Sequence, residues 1–223
     1  MFNFSLERII YILPGIIIGL TVHEFSHAFA AYKLGDPTAK DMGRLTFNPL
    51  VHIDPIGFLF IVIASFGWAK PVQFNPYYLK NYRRDKAIIA AAGPLSNLIL
   101  SILLAGLFRL CMFPVNNSLS SGNVEMALTV LGNPVFRGFL NFLQYAIMIN
   151  LGLMVFNLIP IPPLDGSHIA FSSLNLRPET EYRIMRIGSP LLFMIIIVQN
   201  MTRITILPIG LLVNAIMRFL LPF

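Results

Sequence analysis

Apolar residues gather into a few long stretches divided by polar, proline-bearing segments. Ile9 to Tyr32, Ala87 to Phe108 and Gly138 to Ile159 each reach the roughly 20 residues that a helix needs to cross a bilayer. The last two contain no Asp, Glu, Lys or Arg. Ile187 to Asn200 and Ile204 to Met217 are shorter, with a polar turn at Gln199 to Arg203, and predict a helical hairpin. Ala28-Phe29-Ala30 imitates a signal-peptidase site. Yet Glu24 and two histidines inside the first stretch are foreign to a signal peptide, so it reads as a retained helix. The pattern predicts an all-α polytopic membrane protein with about five transmembrane helices.

Ile53 to Trp68 needs separate treatment. Its sixteen residues open with Asp54-Pro55 and include Gly57 and Gly67. Lys33, Lys40 and Arg44 precede it, and Lys70, Lys80, Arg83, Arg84 and Lys86 follow it. A single crossing would put one basic loop on each side of the membrane, whereas a re-entrant segment keeps both in the cytoplasm, as the positive-inside rule demands. Re-entry is therefore expected. Pro114 to Pro134 has Glu125 and only the neutral company of an external loop, and the loop with Arg177, Arg183 and Arg186 falls inside.

Composition sharpens this reading. Of 223 residues, 56% are hydrophobic and 12% charged, about half the charge of an ordinary soluble domain. Disorder, a fibrous protein and a charged soluble domain are excluded. The net charge of +6 fits loops facing anionic lipid rather than nucleic acid, since no basic–aromatic array accompanies it. Cys111 stands alone, which excludes a disulfide framework. One domain is expected over residues 1–223, with a core at about 9–170 and the C-terminal hairpin at about 183–222. No repeat or low-complexity tract is visible.

The chemistry sits in the apolar stretches. His23-Glu24-Phe25-Ser26-His27 places two imidazoles at i and i+4, on one helix face, where both can bind one metal ion. Glu24, one step round, can act as general base. A carboxylate inside an apolar helix costs about 2.5–3.5 kcal/mol on insertion scales, so a merely structural polar cluster is the weaker explanation. Catalytic zinc usually takes three protein ligands. Most remaining acids fall in loops or tails, but Asp165 closes Phe156-Asn157-Leu158-Ile159-Pro160-Ile161-Pro162-Pro163-Leu164-Asp165-Gly166 at the inner end of a span. An Asp-Gly turn is the plain alternative there.

These elements resemble the site-2 protease family of intramembrane zinc metalloproteases. The resemblance rests on His23 to His27, on Ala92-Gly93-Pro94-Leu95-Ser96-Asn97 read as a helix start, and on Asn157 through Gly166. Gly43-Arg44-Leu45-Thr46-Phe47-Asn48-Pro49-Leu50-Val51-His52-Ile53-Asp54-Pro55 and Lys70-Pro71-Val72 point to its compact bacterial branch, without a periplasmic peptide-binding or nucleotide-sensing module. The resemblance implies His23, His27 and Asp165 as ligands of one Zn2+ and Glu24 as the catalytic base. It also implies a cell-membrane location with the site towards the cytoplasm. Asn157 either hydrogen-bonds the scissile carbonyl, as the family suggests, or packs its helix. His52 and His168 read as satisfied interfacial histidines rather than ligands, and Asn97 as a packing residue.

The expected function is a zinc endopeptidase that cleaves in or near a transmembrane segment of another membrane protein, with the lipid bilayer as its surroundings and no nucleic-acid partner. A helical substrate must unwind to be cut, and an edge strand can hold the released main chain. Val72, Gln73 and Phe74, in an alternating stretch, are the candidates for a short membrane-associated β element. A membrane metal-ion transporter is the alternative, but it should show paired, inverted repeats.

Overall fold

Asparagines and prolines set where the apolar stretches begin and end as helices. The computed structural model describes residues 6–64, 67–174, 176, 178–202 and 204–221. In chain order the helices are α1 (Leu6–Lys33), α2 (Thr38–Asp41), α3 (Pro55–Ala64), α4 (Tyr82–Ser120) and α5 (Val124–Gly132), followed by α6 (Pro134–Asn157), α7 (Asp165–Leu174), α8 (Pro178–Thr202) and α9 (Ile209–Leu220). Asn81 caps α4 by accepting the Arg84 amide, while its own amide donates to Asp85 Oδ2 at 2.9 Å. Asn133 accepts the amides of Val135 and Phe136, and Pro134 takes the first helical position of α6.

Two boundaries differ from the sequence reading. Ala92-Gly93-Pro94 does not start a helix; it lies inside α4, which continues through both Pro94 and Pro114. Proline inside a transmembrane helix is tolerated where neighbours use the backbone groups it frees. Pro114 to Pro134 is also mostly helical, formed by the end of α4, a turn and α5.

Among the described residues four helices are long and apolar enough to cross a membrane: Ile9–Lys33, Tyr82–Ser120, Pro134–Asn157 and Glu179–Thr202. The C-terminal pair is unequal. Helix α8 starts early enough to be a full span, and α9 has only 12 residues. That is about 18 Å, short of a hydrocarbon core of roughly 30 Å. Gln199 Oε1 accepts the amides of Ile206 and Leu207 and so fixes the turn between them.

Helices α4, α6 and α9 share one apolar core, and α1 packs against α4 and α6. Leu143, Ile147 and Leu151 of α6 are fully buried there, beside Ala105 and Phe108 of α4. Helix α1 reaches α6 through Gly15 and Gly19, a small-xxx-small pair of the kind that lets membrane helices approach closely. A Cβ on Gly15 would stand 3.1 Å from Ala146 Cα, and one on Gly19 would stand 3.0 Å from Asn150 Oδ1.

The stretch from Ile53 to Trp68 leaves and comes back beside its own start. Helix α3 follows Ile53, and Ile53 and Ala69 form an antiparallel bridge, with the Lys70 amide donating to the His52 carbonyl at 2.8 Å. Ser65 and Phe66 lie outside the described residues. Among the described residues this bridge is the only β pairing, and no sheet forms. The segment from Lys70 to Phe74 therefore does not appear as a strand. Apart from the Lys70 amide its main chain is tied to side chains, and Pro71 lacks an N–H to contribute.

Candidate metal centre

Helix α1 presents His23 and His27 one turn apart on the face that meets α4, as i,i+4 spacing requires. Their Nε2 atoms stand 3.0 Å apart. Asp165, the first residue of α7, brings Oδ2 to 3.2 Å from His23 Nε2 and 3.3 Å from His27 Nε2. All three side chains are largely buried. The three residues expected as ligands are thus in one place, although Asp165 lies 138 positions beyond His27 in sequence.

The hydrogen bonds decide which nitrogens are free. His23 Nδ1 faces Asn97 Oδ1 at 2.7 Å, and His27 Nδ1 faces the Ile89 carbonyl at 2.7 Å. The Asn97 amide is itself oriented, because Nδ2 donates to the Gly19 carbonyl at 3.1 Å and to Asn150 Oδ1 at 2.8 Å. Asn150 Nδ2 in turn donates to the Ala146 carbonyl at 2.8 Å. Both Nδ1 atoms face acceptors, so both carry the proton and both Nε2 atoms offer lone pairs. Asp165 Oδ2 is buried and accepts no hydrogen bond. Three lone pairs then converge without a proton between them, an arrangement that calls for a cation.

The donor set and its dimensions fit zinc. Ligands at about 2.0–2.2 Å from a tetrahedral ion stand roughly 3.3–3.5 Å from each other, close to the 3.0–3.3 Å found here.

Space at the site is tight. A Cβ on Gly93 of α4 would stand 2.6 Å from Cε1 of both histidines, so only glycine fits against them. One on Gly166 would stand 2.6 Å from the Ile159 carbonyl oxygen, which explains a glycine after Asp165.

Glu24 is 7% exposed and accepts the Val72 amide on Oε2 at 3.1 Å. The segment expected to bind substrate is therefore beside the expected base. The same segment is held at two further points. Arg44 donates to the Lys70 carbonyl, and buried Asp36 accepts the Asn75 amide at 2.6 Å. Burial lowers the proton affinity of the Arg44 guanidinium, and the Glu24 charge offsets this only in part.

The remaining candidates are used differently. Asn157 Nδ2 donates to the Leu153 carbonyl of its own helix at 3.0 Å. His52 is fully buried, with Nε2 on the Thr46 carbonyl at 2.8 Å and Nδ1 without a partner. His168 also has an unpartnered Nδ1, and burial, helped by the nearby Lys86 charge, lowers its proton affinity. Neither belongs to the cluster of potential metal ligands. Sequence reasoning missed Asn97, Asn150, Asp36 and Arg44 as parts of the site. The available signals were Asn97 as the lone amide between Ala87 and Phe108 and an Asp-Pro-Thr turn at Asp36, whereas Asn150 is one of four amides in its stretch.

The family model of peptidase family M50 matches residues 11–199. A Bacillus subtilis protein named "Putative zinc metalloprotease YwhC" is 39% identical over 166 residues, covering 74% of this chain and 70% of that protein. "Putative zinc metalloprotease Rip2" of Mycolicibacterium smegmatis is 35% identical over 178 residues, covering 77% of this chain and 60% of that protein. No solved structure matches the chain.

Proposed function

This chain belongs to peptidase family M50, the site-2 protease family, and from that premise we propose that it is a zinc-dependent intramembrane endopeptidase. Its substrate is a peptide bond in or near a transmembrane segment of another membrane protein. The observation that carries this reading is the convergence of His23 Nε2, His27 Nε2 and Asp165 Oδ2 with the Glu24 carboxylate alongside. The relatives' names, which specify zinc metalloproteases, support the choice of metal.

In this reading His23, His27 and Asp165 hold one Zn2+, which when bound supplies a Lewis acid for the scissile carbonyl and for water. Asn97 and the Ile89 carbonyl keep each Nδ1 protonated and so keep each Nε2 available as a ligand. Glu24 takes the proton of the attacking water on its carboxylate and returns it to the leaving amine. The burial of all four residues excludes bulk water and strengthens every charge interaction among them.

The membrane arrangement belongs to the same proposal. Basic residues on both sides of α3, together with the Ile53–Ala69 bridge, support a re-entrant segment with both flanks in the cytoplasm. The metal centre then lies towards the cytoplasmic face of the cell membrane, where water can arrive.

Two variants test the assignment. Glu24→Gln should retain zinc and lose cleavage, whereas Asp165→Asn should lose zinc affinity as well. Metal analysis of purified protein, with cleavage of a reconstituted transmembrane substrate, reads both. Equal zinc and full activity in the two variants would remove the reading.

A further inference from the structure

Arg44 is a buried cation that the reaction as described does not use. It follows Gly43, whose φ of +70° suits glycine, and it is only 5% exposed. Its backbone amide is fixed on the Ala39 carbonyl at 2.8 Å. One terminal nitrogen donates to the Lys70 carbonyl, while Nε is buried with no acceptor. Among the described residues it forms no ion pair. Its carboxylate neighbour Glu24 acts on it only beyond ion-pair distance, and an unmet buried donor is costly, so a structural role at Lys70 alone accounts for it poorly.

Its position suggests what it lacks. Arg44 holds the carbonyl of Lys70 and Glu24 holds the amide of Val72, on the same short segment. Two residues of chain span at most about 7 Å. A peptide whose scissile bond lies at Glu24 therefore passes Arg44 one or two residues away. What every unwound peptide offers there is a main-chain carbonyl that has lost its helical partner and needs a donor. A guanidinium supplies one without reading side chains.

We propose that Arg44 is a substrate-binding residue whose Nε–H takes a main-chain carbonyl of the unwound substrate, beside the scissile bond rather than at it. This rests on the endopeptidase reading, and its test uses binding so that the two can fail separately. The probe is a synthetic Leu/Ala peptide of about 25 residues with a central Gly-Ser pair, bound in micelles to zinc-loaded Glu24→Gln protein. A companion series carries one thioamide at successive central positions, which weakens a single carbonyl as acceptor. Binding should fall about tenfold at one position. Adding Arg44→Gln should weaken the parent peptide similarly and abolish any further loss from that thioamide, with zinc content unchanged. Arg44→Lys keeps a charge and a donor for Lys70, protects against a folding defect, and should lose the same discrimination.

A merely structural arginine would weaken all peptides alike and leave the thioamide penalty in place. That result, or failure of the protein to bind the probe, overturns the inference. Tight, Arg44-dependent binding without cleavage by the protein with Glu24 intact would instead overturn the endopeptidase reading alone.

Discussion

His23 can offer Nε2 to a metal only while something holds the proton on Nδ1, and that task falls to the buried Asn97. Partners of this kind typically govern metal affinity by 10–100-fold. Asn97→Ala should therefore weaken zinc binding by about that factor, read by competition with a chelator, and leave the helical content unchanged. Gly93 is more severe. Even alanine would meet both imidazole rings, so Gly93→Ala should displace them and lose zinc outright by metal analysis. A well-loaded Gly93→Ala protein would show that α4 can move away at no cost. The histidine pair was legible in sequence because both partners sit on one helix, four residues apart. Asn97 was not, because an amide's role depends on what another helix places opposite it, here Gly19 and Asn150.

At the scale of elements, the segment after α3 matters most. Its amides at Val72 and Asn75 are held by Glu24 and Asp36, and its carbonyl at Lys70 by Arg44. A strand was expected from the alternation of Val72, Gln73 and Phe74, and alternation does report which side chains share a face. It says nothing of whether a second strand is present to pair with. Beyond Lys70 its neighbours in this fold are side chains, so the segment lies by the Glu24 carboxylate without belonging to a sheet. Val72→Pro removes the amide that Glu24 accepts while leaving all three candidate ligands in place. It should slow cleavage of a helical substrate by about tenfold, the value of a hydrogen bond to a charged group, with zinc content normal. Unchanged turnover would make the segment an ordinary connection.

For the molecule as a whole, the apolar stretches made the membrane class plain, while the structure supports four of the expected crossings by length and composition. Two short stretches near the C-terminus looked alike, yet α8 gains its length from polar residues at its start, Glu179 to Arg186, which no hydropathy pattern credits to a span. Helix α4 shows the same limit, running 39 residues, or about 58 Å, far beyond the roughly 30 Å of a hydrocarbon core. Its two ends must therefore emerge on opposite sides. Its start carries Arg83, Arg84 and Lys86, and its end carries neutral Asn116 and Asn117. In the proposed arrangement the positive-inside rule puts the basic end in the cytoplasm, and re-entry of the stretch from Ile53 to Trp68 keeps Lys40 on that same side. In a protein with Cys111 replaced by serine, single cysteines at Lys40 and Lys80, both exposed, should resist an impermeant maleimide added to intact cells. A cysteine at exposed Asn117 should react. Labelling at Lys80 from outside, with Lys40 protected, would mean that the stretch from Ile53 to Trp68 crosses the bilayer and that the basic start of α4 faces outward.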